Sequence, residues 1–145
     1  MGTRDAKQEI PHPEKTDKAV EMESTKQAVS IDLPWPPTAN RYWRRVNGRT
    51  ILSRAARQFR KRVRDLWFVK KYVLGKDGFA DTEVRVEIDV YPPDRRRRDI
   101  DNVVKAVLDA LVDVNIIDDD SQVKELRVVR HECIPGGQVR VRITE

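Results

Sequence analysis

Polar and apolar positions alternate most regularly where Val84, Val86, Ile88 and Val90 are interleaved with Glu83, Arg85, Glu87 and Asp89. A period of two places each set on its own face, so this run predicts a half-buried strand, closed by Pro92 and Pro93, which cannot donate to a ladder. Elsewhere the period lengthens to that of a helix. Ala56, Phe59, Val63, Leu66 and Val73 predict a long helix from an N-cap at Ser53 to about residue 73, with Gly75 just past its end. Ile100, Val103, Val104, Val107, Leu108 and Leu111 predict a second helix over about 101–114. Shorter strands are expected at 29–33, before the helix-excluding run Pro34-Trp35-Pro36-Pro37, and at about 123–132 and 138–144, either side of Pro135-Gly136-Gly137. The order β-α-β-α-β-β predicts an α+β fold in which two main helices lie on a small mixed β-sheet.

Residues 1–29 mix both charges around Pro11 and Pro13 without a hydrophobic period. Such a stretch buries too little to offset its ordering entropy, and predicts a disordered N-terminal extension to a folded domain over 30–145. The chain of 145 residues is long enough for one modest core. Charged residues make up 37% of it, well above the usual share of about 25%, so much of the surface must face solvent or a charged ligand. The net charge of +5 is unevenly spread: residues 41–71 hold twelve Lys or Arg against the single acid Asp65. A concentrated positive field of that kind points to an acidic polymer. Cys133 is the only cysteine, which excludes an intrachain disulfide and a cysteine-rich zinc site and suits a reducing compartment. With no signal-like apolar stretch at the N-terminus and no run near the 18 apolar residues of a membrane span, a cytoplasmic protein, nucleoid-associated if DNA is its partner, is expected.

Chemistry concentrates in Asp94-Arg95-Arg96-Arg97-Arg98-Asp99-Ile100-Asp101-Asn102-Val103-Val104-Lys105, at the junction between the predicted central strand and second helix. The consecutive arginines repel one another and need counter-charge, which phosphates or nearby carboxylates supply. Asp99 and Asp101 repel each other, by roughly 1 to 4 kcal/mol at about 4 Å, and a divalent cation relieves that repulsion. Hard ions such as Mg2+ take carboxylate and water oxygens and bridge to phosphate. A third carboxylate is available in the acidic turn Asp118-Asp119-Asp120, provided the chain folds back across a helix length of about 21 Å. Lys105, one turn after Asp101, is placed to stabilise charge on a phosphate. Each feature also has a plainer reading: Asp101 as an N-cap, Lys105 as the surface partner of Asp101 or Asp109, and the acidic turn as solvated. On the binding side, Asn40, Arg41, Tyr42, Trp43, Arg44, Arg45 and Arg49 combine guanidinium, amide and aromatic groups in a loop suited to phosphate contact and base stacking, beside Arg95, Arg96, Arg97 and Arg98. There is no phosphate-binding glycine-lysine loop and no dinucleotide fingerprint, and His131 and Cys133 read as structural strand residues.

At these residues the chain closely resembles the RusA family of Holliday junction resolvases, over about residues 31–144. The markers are Leu33-Pro34-Trp35-Pro36-Pro37-Thr38-Ala39-Asn40-Arg41-Tyr42-Trp43-Arg44, Pro93 to Asn102 with its arginine run, Lys105-Ala106, and Asp119-Asp120-Ser121-Gln122. The resemblance implies a RusA-like fold and a magnesium-dependent, homodimeric endodeoxyribonuclease that cuts four-way DNA junctions in recombination and repair. It carries the family's metal-binding acids onto Asp99, Asp101 and Asp120 and its active-site lysine onto Lys105. The N-terminal extension and the extra acid Asp118 depart from the family pattern, which leaves Asp119 as a rival to Asp120. The alternative reading is a non-catalytic branched-DNA-binding module in which the aspartates merely order the arginine loop; a nuclease for flaps or RNA would share the chemistry.

Overall fold

A computed structural model describes residues 27–145. The expected extension over 1–29 lies outside the described residues up to residue 26, and Ala28 and Val29 belong to the first strand. Four strands form the main sheet: β1 (Ala28–Leu33), β4 (Val84–Tyr91), β5 (Val123–Arg130) and β6 (Gln138–Thr144), in the spatial order β1-β6-β4-β5. β6 is antiparallel to both its neighbours, and β4 and β5 run parallel. A parallel pair needs a crossover, and helix α3 (Ile100–Asp113) supplies it.

The period-two reading holds on the sheet. Val84, Val86, Ile88 and Val90 share one buried face with Val29, Ile31 and Leu33 of β1 and Val139, Val141 and Ile143 of β6. Helix α2 (Arg54–Leu74) covers that face with Ala56, Phe59, Val63 and Trp67, and α3 with Val103, Ala106, Val107, Ala110 and Leu111, in one continuous core. The other sheet face is polar and carries cross-strand ion pairs, Asp32 with Arg140 at 2.9 Å and Arg85 with Glu125 at 2.6 Å. Ser53 caps α2 as expected, its hydroxyl accepting from the Ala56 amide at 3.1 Å, and Gly75 closes it at φ 64°.

The unanticipated part is the stretch read as a binding loop. Residues Ala39–Tyr42 form a short helix, α1, and Trp43–Val46 and Arg49–Leu52 form an antiparallel hairpin, β2 and β3, separate from the main sheet. Its turn is Asn47-Gly48, with φ of 50° and 75°, the two positive values that a tight two-residue hairpin demands. That dipeptide was the available signal; an arginine-rich flank with no alternation obscured it.

The topology positions the chemistry. β4 ends at the arginine loop, α3 runs back along the sheet, and the acidic turn then feeds β5 beside Val84, at the start of β4.

Candidate active site and DNA-binding surface

The arginine loop is stapled from within. Arg98 pairs with Asp94 at 2.7 Å, donates to the carbonyl of Asp94 at 3.1 Å and lies over the Trp35 ring at 5.7 Å. The Arg96 amide donates to Asp94 at 2.9 Å, and Arg130 ties β5 to the loop by donating to the Arg98 carbonyl at 2.6 Å. The Arg98 hydrogen bond, followed by the Arg96 amide, holds the Asp94 carboxyl at about 2, below its ordinary value of 3.8. With its guanidinium occupied and its side chain only 18% exposed, Arg98 is a structural residue. Arg98 still borders both hollows beside the segment 35–38, whereas Arg95, Arg96 and Arg97 are exposed.

Asp99 is the N-cap residue of α3 but makes no side-chain cap bond, and Asp101 stands exposed in the first turn. Neither carboxylate has an ion-pair or hydrogen-bond partner among the described residues. The acidic turn is built quite differently. Gln122 accepts from the amides of Asp118 at 2.6 Å and Asp119 at 3.0 Å, and donates to the carbonyls of Phe79 at 2.7 Å and Thr82 at 2.8 Å. Gly78 lets the 76–82 segment press against this turn, because a Cβ there would collide with the carbonyls of Asn115 and Ile116. Asp118 accepts from the Asp81 amide at 3.2 Å, and Asp119 caps the 3-10 turn Asp120–Gln122 by accepting from Ser121 at 3.0 Å. The Ser121 contacts lower the Asp119 pKa, those made through the side chain first. Asp120 alone of the three keeps an exposed carboxylate without a partner among the described residues.

Lys105 extends along α3 to Asp109, 3.0 Å away. That hydrogen bond is the largest cause of its raised pKa, with the charge of Asp120 contributing from farther off. Of the two carboxylates that the sequence offered as partners, Asp109 is the one used. Around Lys105 a small hollow of about 130 Å³ reaches Pro37, Trp43 and Asn102. Asn102 also borders a larger hollow, of about 680 Å³, holding Asn40, Arg97, Asp99 and Arg130. Asn102 thus joins the carboxylate end of the site to the lysine. Asn102 and Arg130 were not singled out from the sequence as site residues; Asn102 follows Asp101 directly, whereas nothing local points to Arg130.

One chain does not gather Asp99, Asp101 and Asp120. Among the described residues no three His, Cys, Asp or Glu side chains converge in a group able to hold a metal. α3 has 14 residues, a length of about 21 Å, and the acidic turn lies past its far end. β5 carries the backbone to the arginine loop but leaves the turn behind.

The hairpin presents Arg44, Arg45 and Arg49 to solvent, with Arg41 and Asn40 exposed on α1, and Trp43 half exposed at its base. Tyr42 is not available for stacking. Only 4% exposed, it is a core residue whose ring lies under the Arg60 guanidinium and whose hydroxyl accepts from that side chain at 3.0 Å. Its expected DNA contact is thereby corrected: an aromatic on α1 faces α2, since the short helix turns it inward. His131 lies beyond β5, hydrogen-bonded to Asp89 at 2.8 Å and stacked on Tyr91. No described helix is long and apolar enough to cross a membrane.

Residues 34–144 match the family described as Endodeoxyribonuclease RusA. A crossover junction endodeoxyribonuclease RusA of Escherichia coli K12 is 41% identical over 116 residues, covering 80% of this chain and 93% of that protein. Its namesake from Enterobacteria phage 82 is 41% identical over 115 residues, covering 79% and 92%. The one from Enterobacteria phage HK97 is 36% identical over 113 residues, covering 78% and 91%.

Proposed function

Since the chain belongs to the RusA family of endodeoxyribonucleases, we propose that it resolves four-way DNA junctions as a homodimer, with Asp99, Asp101 and Asp120 holding Mg2+ and Lys105 assisting. The observation that carries this reading is the selective freedom of these carboxylates. From residue 94 to 120, Asp94, Asp109, Asp113, Asp118 and Asp119 are each engaged by the protein, while the three remaining aspartates are exposed and unpartnered among the described residues. Unpaired carboxylates on well-ordered supports cost stability unless a cation uses them, and an all-oxygen donor set fits Mg2+. When bound, that ion supplies an activated water and neutralises charge on the phosphate. Lys105 offers a fixed positive charge at Nζ for the phosphate oxygens, oriented by Asp109. Asn102, between the two hollows, is positioned to donate to the same phosphate. The exposed Arg95, Arg96 and Arg97, with Arg41, Arg44, Arg45, Arg49 and Asn40, hold the flanking backbone.

The separation of Asp120 from Asp99 argues for two chains. β5 is a free edge of the sheet, with Leu126 44% exposed. Antiparallel pairing of two such edges would carry the Val123 end of one chain to the Arg130 end of the other, where Arg130 holds the arginine loop. Asp120 would then meet the partner's Asp99 and Asp101, and a two-fold dimer would carry two sites for paired cuts. A DNA enzyme of this kind works in the cytoplasm, at the nucleoid.

The test is cleavage of a labelled four-way junction beside linear duplex and flap DNA, with magnesium and with chelator. Symmetric, magnesium-dependent cuts confined to the junction are expected. Binding without cleavage would instead identify a non-catalytic branched-DNA-binding module, and preferred flap cutting a different substrate. Mixing Asp101→Asn with Asp120→Asn chains tests the shared site: heterodimers regain one intact site and nick one strand, whereas sites built within single chains stay inactive.

A further inference from the structure

Two hollows lie side by side around the segment 35–38, with Arg98 part of both linings. One holds Asp99 and belongs to the proposed active site. The other is larger, about 920 Å³, and no carboxylate lines it. One of its walls is a stripe on α2, Arg54, Gln58 and Arg62, at four-residue spacing; facing it are Arg41, Arg44 and Arg96. Arg41, Arg44, Arg54 and Arg62 have no ion-pair partner among the described residues. Guanidinium groups gathered round a hollow without protein counter-charge call for anions from outside, and fork-shaped donors suit phosphodiester oxygens. The stripe from Arg54 to Arg62 spans about 12 Å, enough to reach about two or three successive phosphates of one strand.

We infer that this second groove seats an uncut DNA strand at the branch point, while the strand to be cut lies across the segment 35–38 in the Asp99 hollow. The inference rests on the junction-cutting function proposed above and adds Arg54, Gln58 and Arg62 as residues that determine substrate shape. The proline-rich segment is rigid, since Pro34, Pro36 and Pro37 fix their own φ and restrict the residues before them, so it divides the grooves without yielding. Strands that separate at a branch can occupy both grooves. A continuous linear duplex fills one and gains nothing from the other.

The experiment compares binding of a four-way junction and a linear duplex by the unaltered full-length chain and by an Arg54→Gln/Arg62→Gln double variant, across a salt series. Both side chains are exposed, so the fold is retained, and an unchanged melting temperature checks this. The double variant is expected to bind the junction about tenfold more weakly, with a salt slope smaller by about two, and to keep its duplex affinity within about twofold. Gln58→Arg is expected to do the reverse, tightening junction binding alone. Equal weakening on both substrates, or no change on either, overturns the second-groove assignment and leaves the resolvase function standing if the unaltered chain still prefers junctions. An unaltered chain without any junction preference overturns both.

Discussion

The two ends of helix α3 carry the same residue type in opposite circumstances. Toward its C-terminus, Asp113 meets Arg60 at 3.4 Å and Arg64 at 3.3 Å, and Asp109 meets Lys105. At its N-terminus, Asp99 and Asp101 face solvent, the first without even the cap bond its position invites. An aspartate near a helix N-terminus is favoured by the dipole, and one near the C-terminus is not. The latter pair is therefore compensated by cations, while the former is left open. Carboxylates on one helix are thus divided between those engaged in holding the fold and those left exposed, and the presence of a protein partner marks the division.

The sharpest way to break that contrast is to neutralise one residue at each end. Asp101→Asn should lower junction cleavage by about a thousandfold and leave binding and melting temperature nearly unchanged, since relief of repulsion from Asp99 offsets the lost dipole interaction. Cleavage at the ordinary rate by that variant would remove Asp101 from the metal site. Lys105→Gln, between the two ends, should lower the rate by about a hundredfold with junction affinity little changed, measured in single-turnover assays. At the other end, Asp113→Ala should keep the cleavage rate and destabilise the chain by about 1 kcal/mol, because Arg60 and Arg64 lose their partner; chemical denaturation reads this directly.

The smallest effect lies in the loop before α3 and concerns pH. A carboxyl depressed from 3.8 to about 2 contributes order that is complete above its ordinary value and lost as pH falls through about 2. The Trp35 indole NMR resonance, under Arg98, should therefore hold steady from neutral pH to about 4 and shift only on further acidification. In an Asp94→Asn variant it should differ already at pH 7, and an identical spectrum would detach Asp94 from the support of the loop.

Much of this was legible in the chain. Strict alternation at 84–90 and the apolar stripe at 100–111 each admitted one regular structure, and Ser53 and Gly75 marked the ends of α2 because caps are local chemistry. The order β-α-β-α-β-β held apart from α1 and the hairpin at 43–52. That hairpin was missed because its strands bury almost nothing: all but Leu52 are exposed, and a strand that covers no core need not alternate. Its only local mark was Asn47-Gly48. Tyr42 and Arg98 were assigned to DNA for a related reason. Composition places both in cationic stretches, yet each is engaged within the protein, the tyrosine by Arg60, 18 positions on, and the arginine by the nearby Asp94 and the distant Trp35.

Sequence by itself thus determined the elements of the main sheet and its two long helices, the cationic surface, the family and which residue types could bind a hard cation, because each follows from local periodicity or a contiguous motif. The tertiary structure decided which of those residues remain available. Arg60 and Asp113 are 53 positions apart and Gln122 and Phe79 are 43, and spacing along the chain cannot foretell such meetings. By committing Asp119 to a cap while leaving Asp120 exposed, and by keeping Asp99, Asp101 and Asp120 from converging within the described residues of one chain, the fold sorted acids that the sequence merely lists.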